Sequence, residues 1–402
     1  MQPGDPLAAI RRALAGGEYD RALTLLAGIG PDQPLWIEAR RVAAYASFAG
    51  GRADVARAIL DEVRAARPNA SWALLLLARI EAAAARPAAA ASLLSRLQEL
   101  LPDNAEIAAE YATVLRSLGD EARAAAVEAA HAAWTKVDIG GFELWRDSEP
   151  PGEAGTTVAL YLDLLERTVS NDIYRDPSYS EGRLETYSEV LRRDGRDLPL
   201  VAHTMIGRTR LRHLRRLVER VLDEDVPGDF IETGVWRGGA CILMRGTLAA
   251  HGETRRRVFV ADSFAGLPPP DGRFEEDSLT TFDFHLRPEL AVSRSAVQEN
   301  FARYGLLDDQ VVFVEGLFRD TLPTLANERF ALLRLDGDMY SSTMDALIHL
   351  YDRLSPGGFV VIDDYGVVLD ARRAVVDFRA RRGIDAPMTA VDGDAVFWRK
   401  PG

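Results

Sequence analysis

Short runs of β-forming residues alternate with helical stretches in the second half of this 402-residue chain. The β-forming runs are residues 229–232, 258–262, 311–315, 332–336 and 359–363. Helical stretches lie between them at 237–250, 293–304 and 341–354. Strands that alternate with helices predict a parallel, doubly wound α/β sheet. Ligands of such a sheet bind at the carboxyl ends of the strands.

The first third of the chain is rich in alanine and leucine and repeats every 34 residues. The recurring positions are the small residues Gly17, Gly51, Ala85 and Gly119, the alanines Ala22, Ala56, Ala90 and Ala124, and the prolines Pro34, Pro68 and Pro102. This period indicates pairs of antiparallel helices stacked into a solenoid. The region resembles the tetratricopeptide repeat family in degenerate form, since most aromatic positions of that family are missing. The alternative is a generic alanine-rich helical bundle with an accidental period.

Two domains are expected, because 402 residues exceed what one hydrophobic core usually serves. Turn-forming residues at 139–141 and 148–152 indicate a linker. The predicted boundaries are 1–137 for an all-α helical-repeat domain, 138–159 for the linker and 160–402 for the α/β domain. Because helical repeats bind partners more often than they catalyse, the first domain is expected to be a binding unit, and contact with a carrier protein, binding of the substrate and assembly of a homo-oligomer are the alternatives.

Charge and hydropathy exclude several classes of partner. The net charge of −13 argues against nucleic acid or an anionic membrane surface as the main partner. No apolar run reaches the length of a membrane span, and residues 1–7 lack the pattern of a signal peptide, so we expect a cytoplasmic protein. The single cysteine, Cys241, excludes an intramolecular disulfide and a thiolate metal cluster.

The first candidate site is a strand that runs into a glycine turn and then a helix. Glu232, Thr233 and Gly234 end the strand, and Gly238 and Gly239 open the helix. This spacing, Glu-x-Gly-x-x-x-Gly-Gly, differs from the G-x-G-x-x-G of dinucleotide-binding turns. An acid before the first glycine suits the cationic amino-acid end of S-adenosylmethionine better. A purely structural turn is the alternative.

The second candidate site is the carboxylate at the end of the following strand. Asp262 closes an apolar run 28 residues after Gly234. An acid at this place accepts hydrogen bonds from both ribose hydroxyls of an adenosine ligand. The alternative is that Asp262 is only a turn or helix-capping residue.

The third candidate site is a group of acids at two consecutive strand ends. Asp336 follows one strand, and Asp363 with Asp364 follow the next. Parallel strands bring these carboxylates to the same edge, where a cation must offset their repulsion. Hard oxygen ligands suit Mg²⁺, so we expect a magnesium site. Turn formation is again the alternative.

From about residue 160 to residue 398 the chain resembles the macrocin O-methyltransferase family. The matching stretches are 204–207, 226–239, 262–268, 320–323, 335–340 and 362–366. The resemblance implies a Rossmann-like methyltransferase sheet that binds S-adenosylmethionine and Mg²⁺ and acts on a small, glycosylated natural product. It assigns the methionine portion of the cofactor to Thr204, Met205, Ile206, Glu232, Thr233 and Gly234. It assigns the ribose to Asp262, counts Ser263 among the cofactor-binding residues, and assigns the metal to Asp336, Asp363 and Asp364.

The expected reaction is attack of a metal-bound hydroxyl oxygen on the sulfonium methyl group, with Asp336 as the proton acceptor. His285, in a polar insertion, is a second candidate participant, although a surface histidine fits equally well. Alternatives are a partner-binding repeat protein whose methyltransferase-like domain is inactive, O-methylation of a phenolic acceptor, and a nicotinamide-dependent oxidoreductase. The missing G-x-G-x-x-G argues against the last of these.

Overall fold

The computed structural model describes residues 9–10, 12–13, 18–29, 36–101, 104–135, 142–146, 156–180, 183–269, 273–274 and 287–402. The chain divides into two compact units, the first built on residues 9–135 and the second on residues 142–269 and 287–402. None of the helices in these ranges combines the length and the apolar character needed to cross a bilayer.

The first unit is helical. Its helices are α1 (Tyr19–Ala27), α2 (Trp36–Ala49), α3 (Ala53–Ala66), α4 (Ser71–Ala83), α5 (Pro87–Leu100), α6 (Ala105–Ser117) and α7 (Glu121–Thr135). Helix α2 packs on α3, α4 on α5, and α6 on α7. Helices α3, α5 and α7 begin at residues 53, 87 and 121, at the 34-residue step of the sequence pattern.

The turns between the paired helices lie at the predicted small residues. Gly51, Ala85 and Gly119 have φ angles of +76°, +56° and +79°. The four alanines of the second series are buried where helices approach each other closely: Ala22, Ala56, Ala90 and Ala124. Gly17, Pro34 and Pro102 lie outside the described residues. The all-α character of the unit is confirmed, while the tetratricopeptide assignment stays a prediction.

The second unit contains a large sheet whose strands, in spatial order, are β1-β10-β11-β9-β8-β5-β6-β7. The strands are β1 (Glu143–Leu144), β5 (Asp229–Thr233), β6 (Val258–Asp262), β7 (Val311–Glu315), β8 (Phe330–Leu335), β9 (Leu354–Ile362), β10 (Thr389–Ala390) and β11 (Val396–Arg399). A smaller sheet contains β2 (Ser178–Ser180), β3 (Arg183–Glu185) and β4 (Leu198–Pro199).

The central strands are parallel, as predicted: β5 pairs with β6 and β8, β6 with β7, and β8 with β9. Strand β11 is antiparallel to both β9 and β10. The sequence pattern did not predict this edge. The connection between β10 and β11 is only five residues long, and so short a link permits only an antiparallel pair.

Helices flank the large sheet. They are α8 (Thr157–Val169), α9 (Glu189–Arg193), α10 (Gly207–Asp223), α11 (Gly239–Ala250), α12 (Arg294–Arg303), α13 (Phe318–Thr321), α14 (Tyr340–Leu350) and α15 (Leu369–Arg382). Every residue of β5 and β8 is buried, as expected for strands covered on both faces.

The chain order reverses at β5, because β6 and β7 lie on one side of it and β8 and β9 on the other. In register, Thr233 pairs with Leu335 and Leu335 with Ile362. The residues after these three strand ends therefore meet at the switch point, where doubly wound sheets bind ligands.

The predicted linker, residues 138–159, is not a simple connection. Strand β1 lies within it and pairs in parallel with β10. Helix α8 begins before residue 160, because Thr156 caps it by accepting a hydrogen bond from the Ala159 amide at 3.1 Å. The turn-forming stretches 139–141 and 148–152 lie outside the described residues.

Candidate functional site

The turn after β5 fits tightly against the end of β8. Gly234 has a φ of +82°, and a Cβ atom at this position would lie 1.7 Å from the backbone oxygen of Asp336. Only glycine avoids this clash. The Asp336 amide donates to the Thr233 carbonyl oxygen at 2.9 Å. Thr233 and Gly234 are thus held beside the first of the predicted metal-binding acids.

A second loop is fastened to the same glycine turn. The amide of Gly239, at the start of α11, donates to the His203 carbonyl at 2.9 Å. Arg237 Nη1 donates to the carbonyl oxygens of Pro199 at 3.0 Å and Ala202 at 2.8 Å. These contacts hold the loop that precedes α10 against the turn. Sequence analysis missed the role of Arg237, because its partners are carbonyl groups far away along the chain.

The predicted cofactor residues 204–206 end this loop. Thr204 and Ile206 are buried, and Met205 is partly buried. The Ile206 amide donates to Thr204 Oγ1 at 3.4 Å, which shapes the entry into α10. A Cβ atom at Gly239 would lie 2.8 Å from the Thr204 Cβ. The structure therefore brings 204–206 next to the glycine turn, as the resemblance implied.

Asp262 lies at the end of β6 and faces the glycine turn. Its Oδ2 accepts from the Val235 amide at 2.8 Å, and its Oδ1 accepts from the Phe264 amide at 2.8 Å. Burial raises the pKa of Asp262, and the amide donors act in the opposite direction. Ser263 donates to the Gly266 carbonyl at 2.6 Å. Asp262 is thus both a structural tie between two turns and an acceptor at the predicted ribose position.

Three carboxylates come together beyond β8 and β9. Asp336, Asp338 and Asp364 each offer an oxygen, and these oxygens lie within 4.8 Å of one another. We call this group the acidic cluster. Asp364 is buried, and among the described residues its Oδ2 has no hydrogen-bond partner. Burial and the neighbouring acids raise the pKa of Asp338 to about 8 and that of Asp364 well above its usual range.

Asp363 was predicted as a metal ligand, but it lies outside this group of close oxygens. Its Oδ2 is 2.7 Å from Arg210 Nη1, and its Oδ1 is 2.5 Å from Arg334 Nη2. Although burial acts to raise it, the two arginines lower the pKa of Asp363. Asp363 and Asp364 follow the end of β9, and they differ because Arg210 and Arg334 bind Asp363 while Asp364 lies beside Asp336 and Asp338.

Glu232 was predicted to contact the cofactor, and the structure places its side chain in the interior. The residue is 1% exposed. Arg334 Nη1 donates to Oε1, and Cys241 Sγ donates to Oε2 at 2.7 Å. Burial raises the pKa of Glu232 to about 7.

Sequence analysis missed Arg334 and Arg210, which bind the acids around the site. The signal for Arg334 was present, since it is the one charged residue within the apolar strand β8. Arg210 gave no such signal, because α10 carries many arginines. The remaining predicted site residue, His285, lies outside the described residues.

The arrangement combines two features at one edge of the sheet. A tight glycine turn and Asp262 lie together at the switch point, where doubly wound sheets bind nucleosides. Next to it lies the acidic cluster, in which Arg334 pairs with Asp336 and the remaining like-charge repulsion favours protonation or the binding of a cation.

Known proteins are similar in sequence to this unit. The family described as Macrocin-O-methyltransferase (TylF) matches residues 158–400. The Mycinamicin III 3''-O-methyltransferase of Micromonospora griseorubida is 49% identical over 249 residues, which are 61% of this chain and 98% of that protein. The Demethyldecarbamoylnovobiocin O-methyltransferase of Streptomyces niveus is 45% identical over 258 residues, which are 63% of this chain and 97% of that protein.

A solved structure agrees with these sequence matches. The O-methyltransferase NovP is 46% identical, with a TM-score of 0.57 over 61% of this chain and 100% of that chain. The chain therefore belongs to the macrocin O-methyltransferase family and is an S-adenosylmethionine-dependent O-methyltransferase.

Proposed function

We propose that this enzyme uses Mg²⁺ to methylate a sugar hydroxyl of a glycosylated natural product. The proposal of a metal ion rests on the acidic cluster, and above all on the buried Asp364 Oδ2, which has no hydrogen-bond partner among the described residues. Oxygen ligands of this kind suit Mg²⁺. The sugar acceptor is supported by relatives, one of which acts on an α-L-rhamnosyl tetracenomycin according to its name and is 51% identical over 247 residues.

In this proposal Asp336 and Asp364 hold the metal. Asp363 remains the third ligand assigned by the resemblance, because a carboxylate has about four lone-pair positions and two arginines leave some of them free. When bound, Mg²⁺ would lower the pKa of the acceptor hydroxyl and fix its direction.

The proton acceptor in this proposal is Asp338. Sequence analysis assigned that role to Asp336, which here serves as a ligand. Asp338 belongs to the same cluster and is not assigned as a metal ligand, so its carboxylate can accept a proton at the site. Its backbone has a φ of +54°, a strained conformation that is concentrated at functional sites.

The cofactor would lie against the glycine turn and Asp262. Gly234 lets this turn pack against the backbone of Asp336, and the loop that ends at 204–206 is held against the same turn by the Gly239 amide. The role of these residues is to place the sulfonium methyl group in line with the acceptor oxygen, and positioning of this kind accounts for much of the rate of such transfers. His285 stays a proposed participant on the sequence alone.

The test is methyl transfer from S-adenosylmethionine to a panel of glycosylated macrolides and aminocoumarins, before and after chelation. We expect turnover to vanish in excess EDTA and to return with Mg²⁺. Full activity in EDTA would exclude the metal. If a phenolic acceptor is methylated faster than every sugar, the proposed substrate class is wrong. The proposal of a metal site is not affected by that result.

A further inference from the structure

One guanidinium group connects acids from three adjacent strands. Arg334 Nη1 donates to Glu232 Oε1 on β5 and to Asp336 Oδ2 after β8, the latter at 2.8 Å. Its Nη2 is 2.5 Å from Asp363 Oδ1 after β9. The Arg334 side chain is only 2% exposed. Water therefore cannot replace any of these partners.

Glu232 stands at the far end of this group from the acidic cluster. Both its oxygens are engaged, one by Arg334 and the other by Cys241 Sγ. The Glu232 side chain is as buried as that of Arg334. The Arg334 and Cys241 side chains cover the Glu232 carboxylate, so the amino group of the cofactor could reach it only if one of these two side chains moved.

We propose that Glu232 and Arg334 are positioning residues for the acidic cluster and that Glu232 does not bind the methionine end of the cofactor. The inference rests on the proposed metal site at Asp336 and Asp364. Glu232 acts through Arg334, and Arg334 fixes the orientation of Asp336 and Asp363.

The direction of the effect follows from the shared donor atom. Nη1 of Arg334 serves Glu232 and Asp336 together, so the charge of Glu232 draws the guanidinium away from Asp336. Without that charge, Arg334 would bind Asp336 more strongly and compete with a metal ion for its oxygen. Groups that orient metal ligands typically change metal affinity by about 10–100-fold when they are replaced.

Arg210 supports this assignment independently. It binds the other oxygen of Asp363 and also pairs with Asp392 at 3.1 Å and Asp394 at 3.2 Å. The guanidinium groups of Arg210 and Arg334 therefore each bind one oxygen of Asp363. Among the described ion pairs, Arg334 is the one side chain that joins Glu232 of β5 to both Asp336 and Asp363.

The experiment measures two affinities separately in the full chain. Mn²⁺ binding is followed by electron paramagnetic resonance, and S-adenosylhomocysteine binding by calorimetry. The variant Glu232→Gln should bind Mn²⁺ about 10–100-fold more weakly, while its affinity for S-adenosylhomocysteine changes less than about threefold. Asp262→Ala is the matched control and should show the opposite pattern.

Several outcomes would overturn the inference. A loss of S-adenosylhomocysteine affinity with normal Mn²⁺ binding would restore Glu232 as a cofactor contact. Unchanged affinities for both, or parallel loss of both with a lower melting temperature, would leave Glu232 no positioning role. If the unmodified chain binds no Mn²⁺ at all, the proposed metal site fails first and this inference with it.

A second variant covers the case in which Glu232→Gln does not fold. Arg334→Lys keeps the positive charge, but a single ammonium cannot serve three carboxylates as a planar guanidinium does. It should also weaken Mn²⁺ binding and leave S-adenosylhomocysteine binding within about threefold, whereas normal Mn²⁺ binding would contradict the inference.

Discussion

The two units of the molecule use charged side chains differently. In the helical unit, the side chains of Arg79 and Glu110 are 31% and 30% exposed, and those of Arg116 and Glu128 are 41% and 49% exposed. In the α/β unit, the side chains of Arg334, Glu232 and Asp363 are 5% exposed or less. Glu81 of the helical unit is buried too, but two arginines neutralise it from the surface.

This difference indicates which unit contains the catalytic site. Exposed ion pairs contribute about 0–1 kcal/mol each to the free energy of unfolding, so their residues can be replaced with little loss of stability. Buried acids carry a large desolvation cost, so a chain retains several of them together only where they have a task. The α/β unit has buried ion pairs elsewhere too, as between Arg192 and Asp176, but it is at the switch point of its sheet that several buried acids lie beside one another, where the family's cofactor is expected to bind.

The largest expected effect tests this contrast directly. Asp364→Asn should reduce turnover by at least about 100-fold and weaken Mn²⁺ binding comparably, because it removes a charged ligand whose Oδ2 has no other partner among the described residues. Circular dichroism should show an intact fold. Glu128→Gln, from an exposed pair of the helical unit, is the control and should leave turnover unchanged. Normal metal binding by Asp364→Asn would mean that this buried acid has no more effect on the site than the exposed ion pairs of the helical unit.

The next effect concerns the cofactor. Asp262→Ala should weaken S-adenosylmethionine binding by about 1–3 kcal/mol, the scale of losing hydrogen bonds to a charged acceptor. Calorimetry with and without Mg²⁺ separates this loss from any effect on the metal. Unchanged affinity would mean that Asp262 only ties the two turns through Val235 and Phe264.

The central strands could be predicted from sequence because each is a short apolar run that ends in an acid. The runs at 229–232, 258–262 and 311–315 agree with the observed strands to within one residue. The edge strands β1, β10 and β11 were missed, since two to four residues carry no periodic signal.

The candidate site was predicted in part for a related reason. Strand ends reveal which acids share an edge of the sheet, and so Asp336 and Asp364 were found together. The sequence did not reveal the direction of each side chain, so Asp338 was not among the predicted metal ligands, although its oxygen lies close to those of Asp336 and Asp364. Long-range partners such as Arg210, which is 153 residues away from Asp363, leave no local pattern at all.

A third effect extends the comparison to buried groups that must stay neutral. His213, on α10, is 1% exposed and packs between Trp145 and Phe397 at centroid distances of 5.1 Å and 4.4 Å. Burial lowers the pKa of His213 to about 3. An unfolded histidine titrates near 6.5, so below that pH the unfolded state gains a proton that the folded state cannot take up.

Stability should therefore fall as the pH is lowered from about 6.5 towards the folded pKa, by about 2 kcal/mol at pH 5 from this group. His213→Phe should lose this part of the acid sensitivity, as measured by urea unfolding at pH 7 and pH 5. His349→Phe, at a partly exposed position, is the control. An equal pH dependence in His213→Phe and the unmodified chain would contradict the assignment.

The smallest expected effect is that of removing the helical unit on cofactor binding. Residues 155–402 contain every residue assigned to the cofactor and the metal, and the 34-residue pattern ends before residue 137. A stack of helix pairs is stabilised by contacts between neighbours, so residues 1–137 should form a cooperative helical fragment by circular dichroism. Residues 155–402 should bind S-adenosylmethionine within about threefold of the full chain.

If that fragment binds cofactor but no longer methylates the natural acceptor, the helical unit presents the substrate or assembles the oligomer. If it binds no cofactor, the two units form one fold. The helical unit is then required for cofactor binding, and the separation between it and a catalytic α/β unit is wrong.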